Sequence, residues 1–299
     1  MELERILKEK KHSVDKIRRI HAIKDLGKME TIIKDIKKKK EFGALNDILV
    51  MEKLEETLKQ NPKLREFLER QRSENHKKII KLTREKLHSA YGVFQYDKSE
   101  VNRLLDELKS TENEREILSI HRMLLSSVLS TKERLPFYEE IYTKIFAITG
   151  WPKSILDLGC GFNPMSFPFM RLEEADYYAY DINEEDIRIL NEYFRIMGDD
   201  LNGKASLFRF GDATEFPKAD VCFLFKVLDI LDQRGHKKSE DLIRSLKCKW
   251  VVASFSTRTV SGKKMDHAYR GWMDRMLGRL GYEFRTLEFE NEIFYVIRK

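Results

Sequence analysis

The residues with the clearest capacity for chemistry lie in one short stretch, Ile155-Leu156-Asp157-Leu158-Gly159-Cys160-Gly161-Phe162-Asn163-Pro164. An apolar run ends there in a turn with two glycines, so backbone can approach a ligand closely at the carboxyl end of a strand, where open α/β sheets bind their ligands. Twenty-four residues after Asp157, the run Tyr178-Ala179-Tyr180 ends in a second carboxylate, Asp181. A carboxylate in that place can accept both hydroxyls of a ribose. A further strand leads into Gly211-Asp212-Ala213, suitably placed for an adenine amine. Asp181 or Asp212 alone could be an ordinary strand-end cap, but three features in this order point to a nucleoside cofactor.

The turn also narrows the cofactor. The dinucleotide pattern G-x-G-x-x-G fails because Pro164 stands where its third glycine would be, and an acidic residue ahead of the first glycine is the habit of S-adenosylmethionine-dependent methyltransferases. The acceptor is narrowed by the fourth strand, Asp220-Val221-Cys222-Phe223-Leu224-Phe225-Lys226-Val227-Leu228-Asp229. It carries neither the Asn/Asp-Pro-Pro-Tyr/Phe motif that accompanies attack by an exocyclic amine nor an evident nucleophilic cysteine for a pyrimidine carbon. An acceptor whose lone pair is already free, such as guanine N7, needs positioning and no base.

With these residues in view, the sequence resembles the aminoglycoside-resistance 16S ribosomal RNA guanine-N7 methyltransferases. The resemblance rests on the Asp157–Pro164 turn, on Ser130-Thr131-Lys132-Glu133-Arg134-Leu135-Pro136-Phe137-Tyr138 and on Leu224-Phe225-Lys226 with Gln233. Val251-Val252-Ala253-Ser254-Phe255-Ser256-Thr257-Arg258 and the ending Asn291-Glu292-Ile293-Phe294-Tyr295-Val296-Ile297-Arg298-Lys299 add to it, and it extends from about Lys86 onward. It implies that Arg134 binds the cofactor's carboxylate, that Gly159 lines its methionine arm, and that Asp157 and Gly161 belong to the same cofactor site. It likewise implies that Asp181 holds the ribose, that Asp212 and Ala213 hold the adenine, and that Lys226 and Gln233 border the methyl-transfer pocket. Lys226 and Arg258 are the candidate catalytic residues. Thr257, Arg258, Lys263, Lys264 and Arg270, with Gly262 and His267 nearby, read as an RNA-facing flap. Duller readings stand beside these: Ser130 and Glu133 have capping-box spacing, Arg134 could pair with a local carboxylate, and the flap could be a solvated loop.

These residues require a scaffold, and the periodicity supplies one. Before about Ser130 the apolar residues recur at helical spacing, as in Met29, Ile32, Ile33, Ile36 and in Val101, Leu104, Leu105, Leu108, with Ser99 as a candidate N-cap for the latter helix. Gly43, Asn61-Pro62 and Gly92 break the pattern. After Gly150-Trp151-Pro152 short apolar runs alternate with helical stretches, the grammar of βαβ units. Strands are expected at Ser154–Leu158, Asp176–Tyr180, Ala205–Phe210, Val221–Phe225 and Trp250–Phe255, with a closing pair at Glu283–Glu288 and Ile293–Ile297. The expected fold is α/β: a Rossmann-like class I methyltransferase domain over 130–299, its seven-stranded sheet ending in an antiparallel hairpin, preceded by an all-α domain over 1–129 that recognises RNA or the ribosome.

Composition bounds the partners. Of a net charge of +6, residues 1–40 hold +7, from fourteen Lys or Arg against seven Asp or Glu. A basic arm on a neutral remainder suits a polyanion, nucleic acid before membrane, or else a solvated helix surface. No long apolar run or secretion signal is evident, so a cytoplasmic protein is expected, and no oligomer interface shows, which suggests a monomer. The three cysteines and seven histidines show no ligand spacing, so neither a disulfide nor a metal is expected. The function expected is methylation of guanine N7 in 16S rRNA of the 30S subunit. A different RNA position, a housekeeping role, a small-molecule acceptor, or a ribosome-binding module that kept only the cofactor fold remain open.

Overall fold

The computed structural model describes residues 29–39, 42–43, 45, 47–68, 70–91, 96–208, 215–231, 235–258, 263–265 and 269–299. The chain divides into two compact units, Met1–Gly92 and Val93–Lys299.

The described residues of the first unit are helical. Residues 29–37 form α1, followed by α2 (Asp47–Gln60), a 3-10 turn over Pro62–Phe67 and α3 (Glu74–Tyr91). Met29, Ile32, Ile33 and Ile36 are all buried, as their spacing predicts, and the break at Asn61-Pro62 falls where a proline opens the 3-10 turn. The core is not wholly apolar. Arg84 donates from Nη2 to the carbonyl of Asp35 at 2.6 Å and from Nε to that of Ile36 at 3.1 Å, satisfying acceptors that the end of α1 leaves open.

The second unit contains α4 (Lys98–Ser110), α5 (Glu114–Ser126), α6 (Leu129–Arg134), α7 (Tyr138–Thr149) and then the sheet. Its strands are β1 (Ser154–Leu158), β2 (Ala175–Asp181), β3 (Leu201–Leu207), β4 (Ala219–Phe225), β5 (Cys248–Ser256), β6 (Glu283–Glu288) and β7 (Glu292–Arg298). Between them lie α8 (Glu184–Met197), α9 (Leu228–Leu231), α10 (Lys237–Ser245) and α11 (Gly271–Leu280). The sheet order is β3-β2-β1-β4-β5-β7-β6, with β7 antiparallel to both of its neighbours and every other pair parallel. Alternate residues serve opposite faces, as a period of two demands. Ile155, Tyr177, Val221, Phe223 and Val252 share a core with α4, α5, α7 and α8, whereas Leu156, Cys222, Leu224, Val251 and Phe255 share one with α10 and α11.

Three expectations shift. The change of domain was placed after residue 129, but α4 and α5 lie within the unit that holds the sheet, because Leu104, Leu105, Leu124 and Leu125 are buried in the sheet's own core. His121 on α5 is fully buried there, its ring between the Ile117 carbonyl and the Tyr193 hydroxyl of α8. The cap of α4 is Asp97, whose carboxylate accepts from the Ser99 and Glu100 amides, and Ser99 is the residue it caps. The third strand begins at Leu201, four residues before its expected start. Leu201-Asn202-Gly203-Lys204 has too little apolar character to read as a strand, yet it forms the sheet edge. Gly203 is there because the Phe194 ring covers it: a Cβ would lie 2.0 Å from that ring.

Candidate active site

The site is built where β1 lies between β2 and β4, the point at which the strand order reverses. Asp157, Gly159, Gly161 and Asp181 come together there. Gly159 has φ +67° and Gly161 φ +47°, conformations that L side chains rarely adopt, and a Cβ on Gly159 would stand 2.7 Å from Val227 Cγ2. The Gly161 amide donates to Asp181 Oδ2 at 2.8 Å, and Asp181 Oδ1 accepts from the amides of Ile182 (2.7 Å) and Asn183 (3.2 Å). Burial raises the Asp181 carboxyl above the ordinary range while these three amides pull it down. By lone-pair count they fill three of about four acceptor positions on the carboxylate, leaving room for a ribose hydroxyl.

Asp157 is fully buried. Its Oδ2 accepts from Asn163 Nδ2 at 2.8 Å and from the Tyr177 hydroxyl at 2.7 Å, while Oδ1 has no hydrogen-bond partner in the protein. Burial pushes its carboxyl up to about 6, against the opposing bonds from Asn163 and Tyr177. A buried carboxylate oxygen without a donor is costly, and it is what the ammonium group of an amino-acid cofactor would satisfy. The Asn163-Pro164 pair thereby acquires a role: Asn163 steadies Asp157 with its amide and accepts on Oδ1 from the hydroxyls of Tyr138 and Tyr142, each at 3.3 Å.

A second cluster sits at the carboxyl ends of β4 and β5. Arg134, 3% exposed, donates from Nε to Glu292 Oε2 at 2.8 Å and from Nη2 to Oε1 at 3.0 Å, with its guanidinium 5.0 Å above the Phe225 ring. Glu292, wholly buried at the start of β7, also accepts from the Ser254 hydroxyl. Lys226 has φ +59°, a strained left-handed conformation for lysine, and its amide donates to the carbonyl of Ser254 at 3.1 Å. Its Nζ reaches Glu133 at 2.6 Å and Glu292 at 3.6 Å. Two cations and two carboxylates, from α6, the residue that follows β4 and the start of β7, therefore interlock. The capping box open to Ser130 and Glu133 does not form, since the N-cap of α6 is Val128, which offers no side-chain cap, and Glu133 is paired with Lys226. Arg134's carboxylate partner is Glu292, 158 positions away in sequence.

The flap residues divide. Ser256 ends β5 and Thr257 and Arg258 continue from it; Thr257 donates to the Glu290 carbonyl at 3.0 Å and Arg258 pairs with Glu290 at 2.5 Å. Arg258 and Lys264 form an antiparallel bridge, and Lys263 and Lys264 are exposed. Arg270 is different: it is 9% exposed, salt-bridged to Asp229 at 2.8 Å and stacked over Phe255. That commitment fits an anchor for the end of the flap better than a phosphate contact. Asp212, Ala213, Gln233, Gly262 and His267 lie outside the described residues.

Sequence reasoning missed Glu133 and Glu292 as functional groups although both stood inside quoted motifs, because a carboxylate's partner across the fold leaves no trace in spacing. It also missed Tyr177 and Asp186, the latter a buried carboxylate in the first turn of α8.

A glycine turn, an orphan carboxylate oxygen and a second aspartate bonded to that turn at the reversal point of this sheet define an S-adenosylmethionine-dependent methyltransferase of the Rossmann-like class, and the residues fit that cofactor. The comparisons with known proteins agree with the geometry. The family model of the ribosomal RNA methyltransferases (FmrO) matches residues 61–296, and the chain belongs to that family. The 16S rRNA (guanine(1405)-N(7))-methyltransferase of Proteus mirabilis is 29% identical over 248 residues, 75% of this chain and 85% of that protein. The enzyme of the same name from Micromonospora rosea is 27% identical over 227 residues, 74% and 82% of the two chains. Among solved structures, the 16S rRNA methyltransferase RmtF in complex with S-adenosyl-L-homocysteine shares the fold, with a TM-score of 0.68 at 20% identity over 91% of this chain and 98% of that one. The 16S rRNA methylase RmtB gives 0.65 at 21% identity with the same coverage.

Proposed function

We propose that the protein methylates N7 of a guanine in the decoding region of 16S rRNA, with the 30S subunit as its substrate. Support comes from the activity for which its curated relatives are named and, in the structure, from one observation above all: the charged groups beside the methyl-transfer end neutralise one another. Arg134 is held by Glu292 and Lys226 by Glu133, so this cluster presents no unpaired carboxylate to remove a proton. Guanine N7 needs none removed.

In this reading the cofactor supplies a methyl group on a sulfonium, and its transfer leaves a neutral thioether. Asp181 and the amides of the glycine turn orient the ribose, Asp157 Oδ1 accepts from the ammonium, and Arg134 faces the carboxylate. Asp212 and Ala213 hold the adenine. Lys226, with Gln233, walls the pocket in which the guanine lone pair is lined up behind the methyl carbon, so catalysis is positioning within a near-attack geometry. Thr257, Arg258, Lys263 and Lys264 grip phosphates around the target base. The basic residues of the stretch 1–40, most of which lie outside the described residues, and the exposed Lys78 and Lys81 on α3 add a salt-sensitive hold on folded RNA. A cytoplasmic monomer that confers aminoglycoside resistance on its host completes the proposal. Among the described residues, no helix is long and apolar enough to cross a membrane.

The test is methyl transfer from labelled S-adenosylmethionine to purified 30S subunits, free 16S rRNA, 50S subunits and tRNA, with the product located by strand cleavage at N7-methylguanine. Label on 30S with cleavage at one decoding-site guanine is expected. Absence of label on all four, with the cofactor still bound, refutes the reading.

A further inference from the structure

A second buried carboxylate lies behind the ribose end of the cleft. Asp186, in the first turn of α8, is 4% exposed, and the Tyr96 hydroxyl donates to its Oδ1 at 2.6 Å. The Tyr96 ring packs against Phe162 with centroids 4.7 Å apart, and Phe162 is the fully buried residue between Gly161 and Asn163 in the glycine turn. Tyr96 thus touches both walls of the cleft: the β1 turn through its ring and the β2–α8 turn through its hydroxyl. Inside the cleft the same two walls are joined by the bond from the Gly161 amide to Asp181, five residues before Asp186.

Tyr96 is itself held in place. The next residue, Asp97, caps α4, and α4 is fastened to α8 by Arg188 to Asn102 at 3.4 Å and by Lys98 to Glu185 at 3.7 Å. The groups around the Asp186 carboxyl are Asp181, Glu185, Lys98 and Tyr96, and burial followed by the Asp181 charge pushes it up to about 8. Two acidic side chains crowded at one turn need a fixed partner to settle their spacing, and Tyr96 is that partner.

We propose that Tyr96 and Asp186 are a positioning pair that fixes the separation of the two walls and thereby the placement of Asp181 against the cofactor's ribose. This rests on Asp181 being the ribose ligand. The pair touches neither the cofactor nor the acceptor; it acts through Asp181 and the Gly161 amide.

The experiment is calorimetric titration of the full chain with S-adenosylhomocysteine, without RNA, so that its outcome is independent of the acceptor. Tyr96→Phe is expected to weaken binding about tenfold, the scale of one lost hydrogen bond to a buried carboxyl. Asp186→Asn retains an acceptor for the Tyr96 hydroxyl and is expected to stay within about threefold of the parent, whereas Asp186→Leu falls with Tyr96→Phe. Unchanged affinity in a folded Tyr96→Phe protein, or equal losses in Asp186→Asn and Asp186→Leu, overturns the proposal. Amide hydrogen exchange on the parent gives a readout that needs no variant to fold. The cofactor product should protect residues 182–187 together with 159–163, and protection confined to the glycine turn overturns the pairing. An Asp181→Ala variant that binds like the parent would instead remove the ribose assignment itself.

Discussion

Replacing Glu292 by alanine is the most informative perturbation of the fold. It removes the carboxylate that accepts from Arg134 at 2.8 and 3.0 Å and leaves a guanidinium that is only 3% exposed without its counter-ion. Breaking a buried pair from one side costs about 3–5 kcal/mol, because the surviving charge stays desolvated. Against a total stability on the order of 10 kcal/mol that is a large fraction. All three tryptophans, Trp151, Trp250 and Trp272, belong to the second unit, so intrinsic fluorescence follows its unfolding selectively. With a urea slope of about 2.5 kcal/mol/M, the midpoint should fall by about 1.5 M. Converting both partners, Arg134→Met with Glu292→Met, should recover stability to within about 1 kcal/mol of the parent, since an apolar pair of similar volume needs no compensation. The same double variant should lose affinity for S-adenosylhomocysteine if Arg134 contacts the cofactor. A midpoint shift under about 0.4 M for Glu292→Ala, or a double variant as unstable as the sum of its singles, refutes this account.

Stability should also depend on pH through Asp186. Its carboxyl, raised to about 8 in the folded state, favours folding in its protonated form. The contribution is therefore complete below the unfolded value near 4 and lost as pH rises through 8, on the order of 5 kcal/mol in all. Denaturation midpoints should decline from pH 5 to 8.5 in the parent and much less in Asp186→Asn; equal slopes would count against a buried protonated acid. Gly159→Ala forces a methyl group into Val227 at a left-handed backbone position, so a loss of about 1–3 kcal/mol and weaker cofactor binding are expected in the same assays. The thiols offer a third check. Burial raises Cys160 and Cys222, while a hydrogen bond from Cys222 lowers the partly exposed Cys248. Native protein should give one fast-reacting thiol with a disulfide reagent and three when unfolded, and two fast thiols would contradict the packing.

The grouping of the candidate cofactor residues was legible in the sequence because its parts are local. A strand, a glycine turn and the next strand's terminal aspartate keep fixed spacings, so Asp157, Gly159, Gly161 and Asp181 are found together as expected. The seven-stranded sheet and its antiparallel ending were readable from short apolar runs for the same reason. What spacing could not carry was the strand whose apolar character is weak, β3, where Gly203 is selected by the Phe194 ring above it. Nor could it carry the domain boundary, since α4 and α5 are amphipathic helices like those before them and only their partner distinguishes them.

By itself, then, the sequence determined the class of cofactor, the order of the strands along the chain and the identity of the turn residues, each set by interactions between neighbours in sequence. The tertiary structure alone decided that Arg134 answers to Glu292, that Lys226 is shared by Glu133 and Glu292, that Arg270 anchors to Asp229, and that Tyr96 reaches Asp186. Those pairs join residues 41 to 158 positions apart. Burial makes a partner obligatory for a charged or polar group, but which partner it finds depends on the path of the chain through space, and that is written in packing and not in any local pattern.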